Sequence, residues 1–181
     1  AEKDAGDVFF TGTQKRCFDF YSGHLAIRNI GPVIAAVLGD YQVSFGQGLV
    51  AWTGYAFGKT SFTVNTKRNA AGIRPYTSVD ENRYFRGAAT TMKFGAFEAT
   101  AFYSNKWKDA NVSISDTIGN DIEVLEVTSF QETGLHSTPA EIADRRALNE
   151  ILYGGNISLR KSRYGFGITG IHSQYSAPLN R

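Results

Sequence analysis

The chain has 181 residues with a formal charge of +2, of which 42% are hydrophobic and 20% charged. That suffices for one folded domain and excludes intrinsic disorder, two domains of ordinary size, and a whole-chain attraction to nucleic acid or anionic lipid. A single cysteine, Cys17, excludes an intrachain disulfide and a cysteine metal cluster, and no run reaches the roughly 18 apolar residues of a membrane-spanning helix.

Thirteen Phe and nine Tyr beside nineteen Gly, with four Pro and one Met, make a sheet composition. Residues 1–7 are polar and lack a charged-then-apolar export signal, so the expectation is a removed signal or a chain belonging to a longer one. Residues 18–28 read as a strand paired with 39–46 through Asn29-Ile30-Gly31-Pro32, where Gly reaches positive φ and Pro presets φ. In the second arm Tyr41, Val43 and Phe45 alternate with Asp40, Gln42 and Ser44, which makes one face apolar. Residues 49–57 and 61–66 are weaker strand candidates.

Residues 84–94 and 97–106 flank Gly95-Ala96, a two-residue connection of the kind a type II′ turn favours. Phe97, Ala99, Ala101 and Tyr103 share one face; Glu98, Thr100 and Ser104 share the other, with Phe102 out of pattern. After a weaker strand at 121–128, Thr138-Pro139-Ala140-Glu141 offers an N-cap, a first-turn proline and a capping-box glutamate, which predicts a charged surface helix over 138–150. The last hairpin joins 152–160 to 164–175 around Lys161-Ser162-Arg163. Gly155, Ile157 and Leu159 oppose Asn156, Ser158 and Arg160, while Tyr164, Phe166 and Ile168 oppose Gly165, Gly167 and Thr169. The expected fold is all-β with one short helix: antiparallel hairpins with about eight strands, one domain over 1–181, forming a barrel or a segment of a larger one.

The expected connections are unequal, with tight turns on one rim and the long stretches 58–82 and 108–149 on the other, as in outer-membrane barrels. Period-two strands have two physical explanations: a soluble sandwich turns its apolar face to the core, and a membrane barrel turns it to lipid. Aromatic content, small residues such as Gly87, Gly155, Gly165 and Gly167, and strands of about 9 to 11 residues favour the barrel. The end at Ser176-Ala177-Pro178-Leu179-Asn180-Arg181, past the last strand and without a terminal aromatic, predicts a segment of something larger.

For recognition, the densest cluster is the basic loop with Lys67, Arg68, Arg74, Tyr76 and Arg83, whose cations suit phosphate or carboxylate. The competing reading is structural, with Arg74 and Arg83 paired to Asp80 and Glu81. His24, His136 and His172 lack metal-ligand spacing, Gly46-Gln47-Gly48 lacks the rest of a phosphate-binding fingerprint, and no nucleophile elbow occurs. The reading is therefore not an enzyme, with no cofactor and no metal.

Residues 39–49, Ala56-Phe57-Gly58-Lys59, Lys67-Arg68-Asn69 and 72–83 together resemble a group of Bacteroidota envelope proteins in which a helix-hairpin-helix module precedes a β-rich region. The likeness extends to Thr133-Gly134, Thr138-Pro139 and the final hairpin, and corresponds to the β region alone. It implies a Gram-negative envelope location in the outer membrane, with lipid bilayer or other envelope proteins as partners. DNA binding, the property of the missing module, does not carry over to this chain by itself, and an accessory part in DNA uptake stays a further alternative. The leading expectation is an outer-membrane β-barrel-type protein or segment with a structural, transport or surface role. Its rival is a soluble envelope β-domain that binds a partner through the 67–83 loop.

Overall fold

The computed structural model describes residues 18, 20–53, 67–115, 124–131, 141 and 144–178. Among these residues nine antiparallel strands follow in chain order: β1 (His24–Ile30), β2 (Val33–Ser44), β3 (Gly72–Pro75), β4 (Phe85–Phe94), β5 (Phe97–Lys108), β6 (Ala110–Ser115), β7 (Val124–Phe130), β8 (Leu148–Arg160) and β9 (Gly165–Tyr175). The all-β reading holds. The main sheet runs β1-β2-β4-β5-β8-β9, with β3 paired to the far end of β2, and β6 and β7 form a separate hairpin.

Each strand on the main path is antiparallel to its neighbour, so the turns at 31–32, 95–96 and 161–164 fall on one rim. Lys93 N donates to Pro32 O (2.8 Å) and Arg160 N to Ala96 O (3.1 Å), tying the turns to adjacent hairpins. Gly95 takes φ +62°, the sign that a primed two-residue turn needs and that other residues adopt at a cost. Both long connections lie on the opposite rim: 45–84 carries β3, and 109–147 carries the β6–β7 hairpin.

Several expectations are corrected. The helix over 138–150 does not form to its end: Glu141 is helical, 144–146 is a turn with Arg146 at φ 54°, and Leu148 to Glu150 open β8. Leu148 is fully buried with Ala110 and Val127, and its strand pairs with β5 on one side and β9 on the other, so tertiary pairing takes the last residues of the expected helix into the sheet. Thr138 to Ala140 lie outside the described residues, as do 54–57, 61–66 and His136. The first hairpin is shifted: 18–23 precede β1, Gly23 accepts the Asp40 amide at 2.9 Å, and the turn itself is Gly31-Pro32. In 49–53 only Trp52 bridges, to Ser44.

Candidate functional site: an open apolar face behind a polar layer

Registers align side chains into rows across the sheet. On one face these rows are Phe94-Phe97-Leu159-Phe166, then Met92-Ala99-Ile157-Ile168, then Ile27-Ala36-Thr90-Ala101-Gly155-Gly170, then Leu25-Leu38-Ala88-Tyr103-Tyr153-His172. These rows hold no Asp, Glu, Lys or Arg, and the face stands open. Ile168 is 82% exposed, Phe166 69%, Leu25 64% and Ile157 62%. The row of small residues leaves a trough between the aromatic and aliphatic rows.

The opposite face is covered at its centre, although that part is polar. Its central row is Thr91-Thr100-Asn156-Thr169, while Lys93-Glu98-Ser158-Gly167, nearer the tight turns, is exposed at both ends. Thr91 and Thr100 share a hydroxyl hydrogen bond of 2.8 Å, and Asn156 Nδ2 donates to Thr169 Oγ1 at 2.8 Å, so this row satisfies itself. Thr91, Thr100 and Asn156 are buried, at 8%, 8% and 9% exposure. Polarity is thus inverted relative to a water-soluble sheet, in which the open face carries the polar side chains.

Toward the long-connection rim the covered face becomes apolar. Val37, Tyr41, Val43, Phe45, Ala89, Phe102 and Leu152 form the main cluster with Ile73 and Ala51 from the connections. Phe102 stacks between Phe45 and Phe85, at 6.0 and 6.1 Å, which explains its place out of the alternation: it is the apolar member of a polar face. Gly154 makes room for it. A Cβ there would stand 2.7 Å from Phe102 Cζ and closer still to the Gly170 carbonyl oxygen.

The same rim is sealed by side chains that fasten the 76–86 segment. Lys106, 4% exposed, donates to the carbonyls of Glu81 and Asn82, each at 2.9 Å, and its Nζ lies 3.8 Å from the centre of the Tyr84 ring. Phe20, Tyr76 and Tyr84 form a second buried cluster, and burial pushes the Tyr84 phenol above its ordinary pKa, with Arg86 opposing. Asp40 takes a bidentate pair from Arg86, Nε at 2.7 Å and Nη2 at 3.0 Å, and accepts Gly23 N at 3.1 Å. Glu150, almost fully buried, is paired with Lys108 at 2.8 Å beside a polar cleft reaching Trp52 and Arg83.

The basic loop does not converge on one point. Lys67, Arg68, Arg74 and Arg83 are exposed, whereas Tyr76 is buried, stacks on Tyr84 at 5.0 Å and donates its hydroxyl to Asp80 O. Arg83 pairs with Asp80 at 3.7 Å, and Arg68 lies over the Trp52 ring at 5.5 Å while Gln47 brackets its backbone. Asp80 Oδ1 accepts the amides of Asn82 and Arg83, turning the loop back on itself. Arg74 sits on β3 opposite Gln42. Among the described residues no three His, Cys, Asp or Glu side chains are grouped to hold a metal, and no helix is long and apolar enough to cross a membrane.

The buried Lys106, the Asp40–Arg86 pair and Glu150 escaped the sequence reading, since a charged residue within a strand carries no local sign of being enclosed. Comparison with protein-family models, curated proteins and solved structures finds no match for this chain.

Proposed function

We propose that this chain is an outer-membrane β-barrel-type sheet whose open face meets acyl chains, with a structural or surface role and with recognition carried by the long connections. The observation that carries the reading is the inverted polarity at the sheet's centre: apolar rows open, the hydroxyl and amide row of Thr91, Thr100 and Asn156 covered. In water such a face loses about 25 cal/mol for every Å² of apolar surface left exposed; in a bilayer that surface is where it belongs. From Phe97 to Tyr103 the uncharged rows on the open face of β5 span six residue steps, and the row of Asn105 with the Asp40–Arg86 pair follows them. That is about 20 Å along the strand and about 15 Å at a tilt of roughly 40°, the inner part of a barrel's apolar band of about 25 Å. Tyr103 and Tyr153 lie toward one margin and Phe94, Phe97 and Phe166 toward the other, as interfacial aromatics do.

Filling of the covered face by Tyr41, Phe45, Phe102 and the 76–86 segment favours a closed interior over an open aqueous channel. The test is reconstitution into vesicles whose acyl chains carry bromine. Quenching of Trp107, which is exposed on the open face, is expected together with strand-type circular dichroism. A chain that is folded and monomeric in detergent-free buffer would overturn the reading.

The soluble alternative draws on the exposed guanidiniums of Arg68, Arg74 and Arg83, and requires that a partner bind through them. Loss of binding to immobilised envelope proteins in the triple alanine variant, at unchanged stability, would support it.

A further inference from the structure

β1 and β9 end the sheet's path, and each pairs on one side only among the described residues. For β9 the phase of the backbone bonds is fixed at both ends: Lys161 N donates to Tyr164 O at 2.9 Å and Ser176 N to Asn149 O at 3.0 Å, with unbroken register between. Alternation then turns the N–H and C=O groups of Phe166, Ile168, Gly170 and His172 toward β8, and those of Gly167, Thr169, Ile171 and Ser173 outward. Edges that must stay unpaired are normally shortened, bulged, or armed with Lys or Pro. β9 is 11 residues long, has no Pro, Lys, Arg, Asp or Glu, and shows no register shift.

We propose that β9 pairs with β1 of a second copy of this chain, so that two copies close head to tail into one continuous wall; the closed geometry rests on the membrane reading above. Six alternating strands on the path leave β1 and β9 running in opposite directions, so a β9–β1 junction between copies continues the antiparallel order. The faces match as well. β1 brings Leu25 and Ile27 to the open side, where β9 brings Phe166 and Ile168, and its covered side offers His24 and Ala26 to Thr169 and Ile171. A copy closing on itself with six strands would have too little room, since about eight are needed before a barrel interior just holds side chains. Here the covered face holds Tyr41, Phe45, Phe85 and Phe102 together with residues from the connections.

The test is the mass of the full chain in detergent micelles by light scattering. Twice 19.9 kDa of protein per micelle is expected. Gly167→Pro and Ser173→Pro each remove a backbone donor that faces away from β8 and no backbone bond within the sheet; each is expected to halve that mass while keeping the strand signal. In a Cys17→Ser background, His24→Cys or Ala26→Cys combined with Thr169→Cys, Ile171→Cys or Ser173→Cys is expected to give an intermolecular disulfide for at least one pair, and this arm decides if a proline variant fails to fold. A one-chain mass for the wild type, or a dimer insensitive to both prolines and without any cross-link, would overturn the proposal. A dimer that ignores vesicles would refute the membrane reading and leave the edge pairing standing; insertion as a single copy would do the reverse.

Discussion

Replacing Ile157 by Lys separates the two possible surroundings of the open face. Ile157 lies mid-sheet on β8 between Ala99 and Ile168, 62% exposed, beside the small-residue trough. With water outside, the substitution removes little packing, and surface changes of this kind stay within about 0.5 kcal/mol. With acyl chains outside, a lysine near the midplane costs about 2 to 4 kcal/mol, which at about 1.4 kcal/mol per decade is roughly 30- to 700-fold in the folding equilibrium. The assay is urea unfolding of the chain in phospholipid vesicles, followed by tryptophan fluorescence, with Thr100→Val as a covered-face control. That control loses one hydroxyl pair and is expected to shift stability by about 1 kcal/mol in any medium. Equal stability of Ile157→Lys and wild type in vesicles, with improved solubility in buffer, would refute the lipid-facing assignment.

Gly154→Ala forces a methyl against Phe102 and the Gly170 backbone and is expected to destabilise by about 1 to 3 kcal/mol, read as a lowered denaturation midpoint. Phe102→Ala empties the centre of the main cluster and is expected to cost about 3 to 5 kcal/mol in the same measurement. Lys106→Met strips donors from the Glu81 and Asn82 carbonyls; loosening of the 76–86 segment is expected as faster proteolytic cleavage there, at about 1 to 3 kcal/mol. Arg83→Ala removes the exposed pair with Asp80, and that loss is expected to change stability by about 1 kcal/mol or less.

How much of this was legible beforehand differs by element. The hairpins around Gly95-Ala96 and Lys161-Ser162-Arg163 were readable because turn chemistry and alternation are local properties, and the rim asymmetry followed from connection lengths. β3 and β6 were missed: Gly72–Pro75 is too short to show a period and forms because Tyr41 to Ser44 present an unpaired edge, and Ala110–Ser115 forms with β7 inside a connection in which only a strand at 121–128 and a helix over 138–150 were expected. The basic loop was visible as a cluster of cations, yet burial divides it, with Tyr76 enclosed and Arg74 exposed on β3.

Alternation in the sequence determined which side chains share a face: Tyr41 with Val43 and Phe45, and Phe97 with Ala99, Ala101 and Tyr103. It left open that the two sets lie on opposite sides of one sheet. Strand order and register decided that, placing Tyr41 in the covered row of Phe85 and Tyr103 in the open row of Leu38 and Tyr153. Period two assigns a side chain to a face but carries no information about what lies beyond that face, which is set by residues distant in the chain. The same reason makes Phe102 a core residue and Leu148 the start of a strand: each is positioned by partners brought from far along the sequence, against what its neighbours alone prefer.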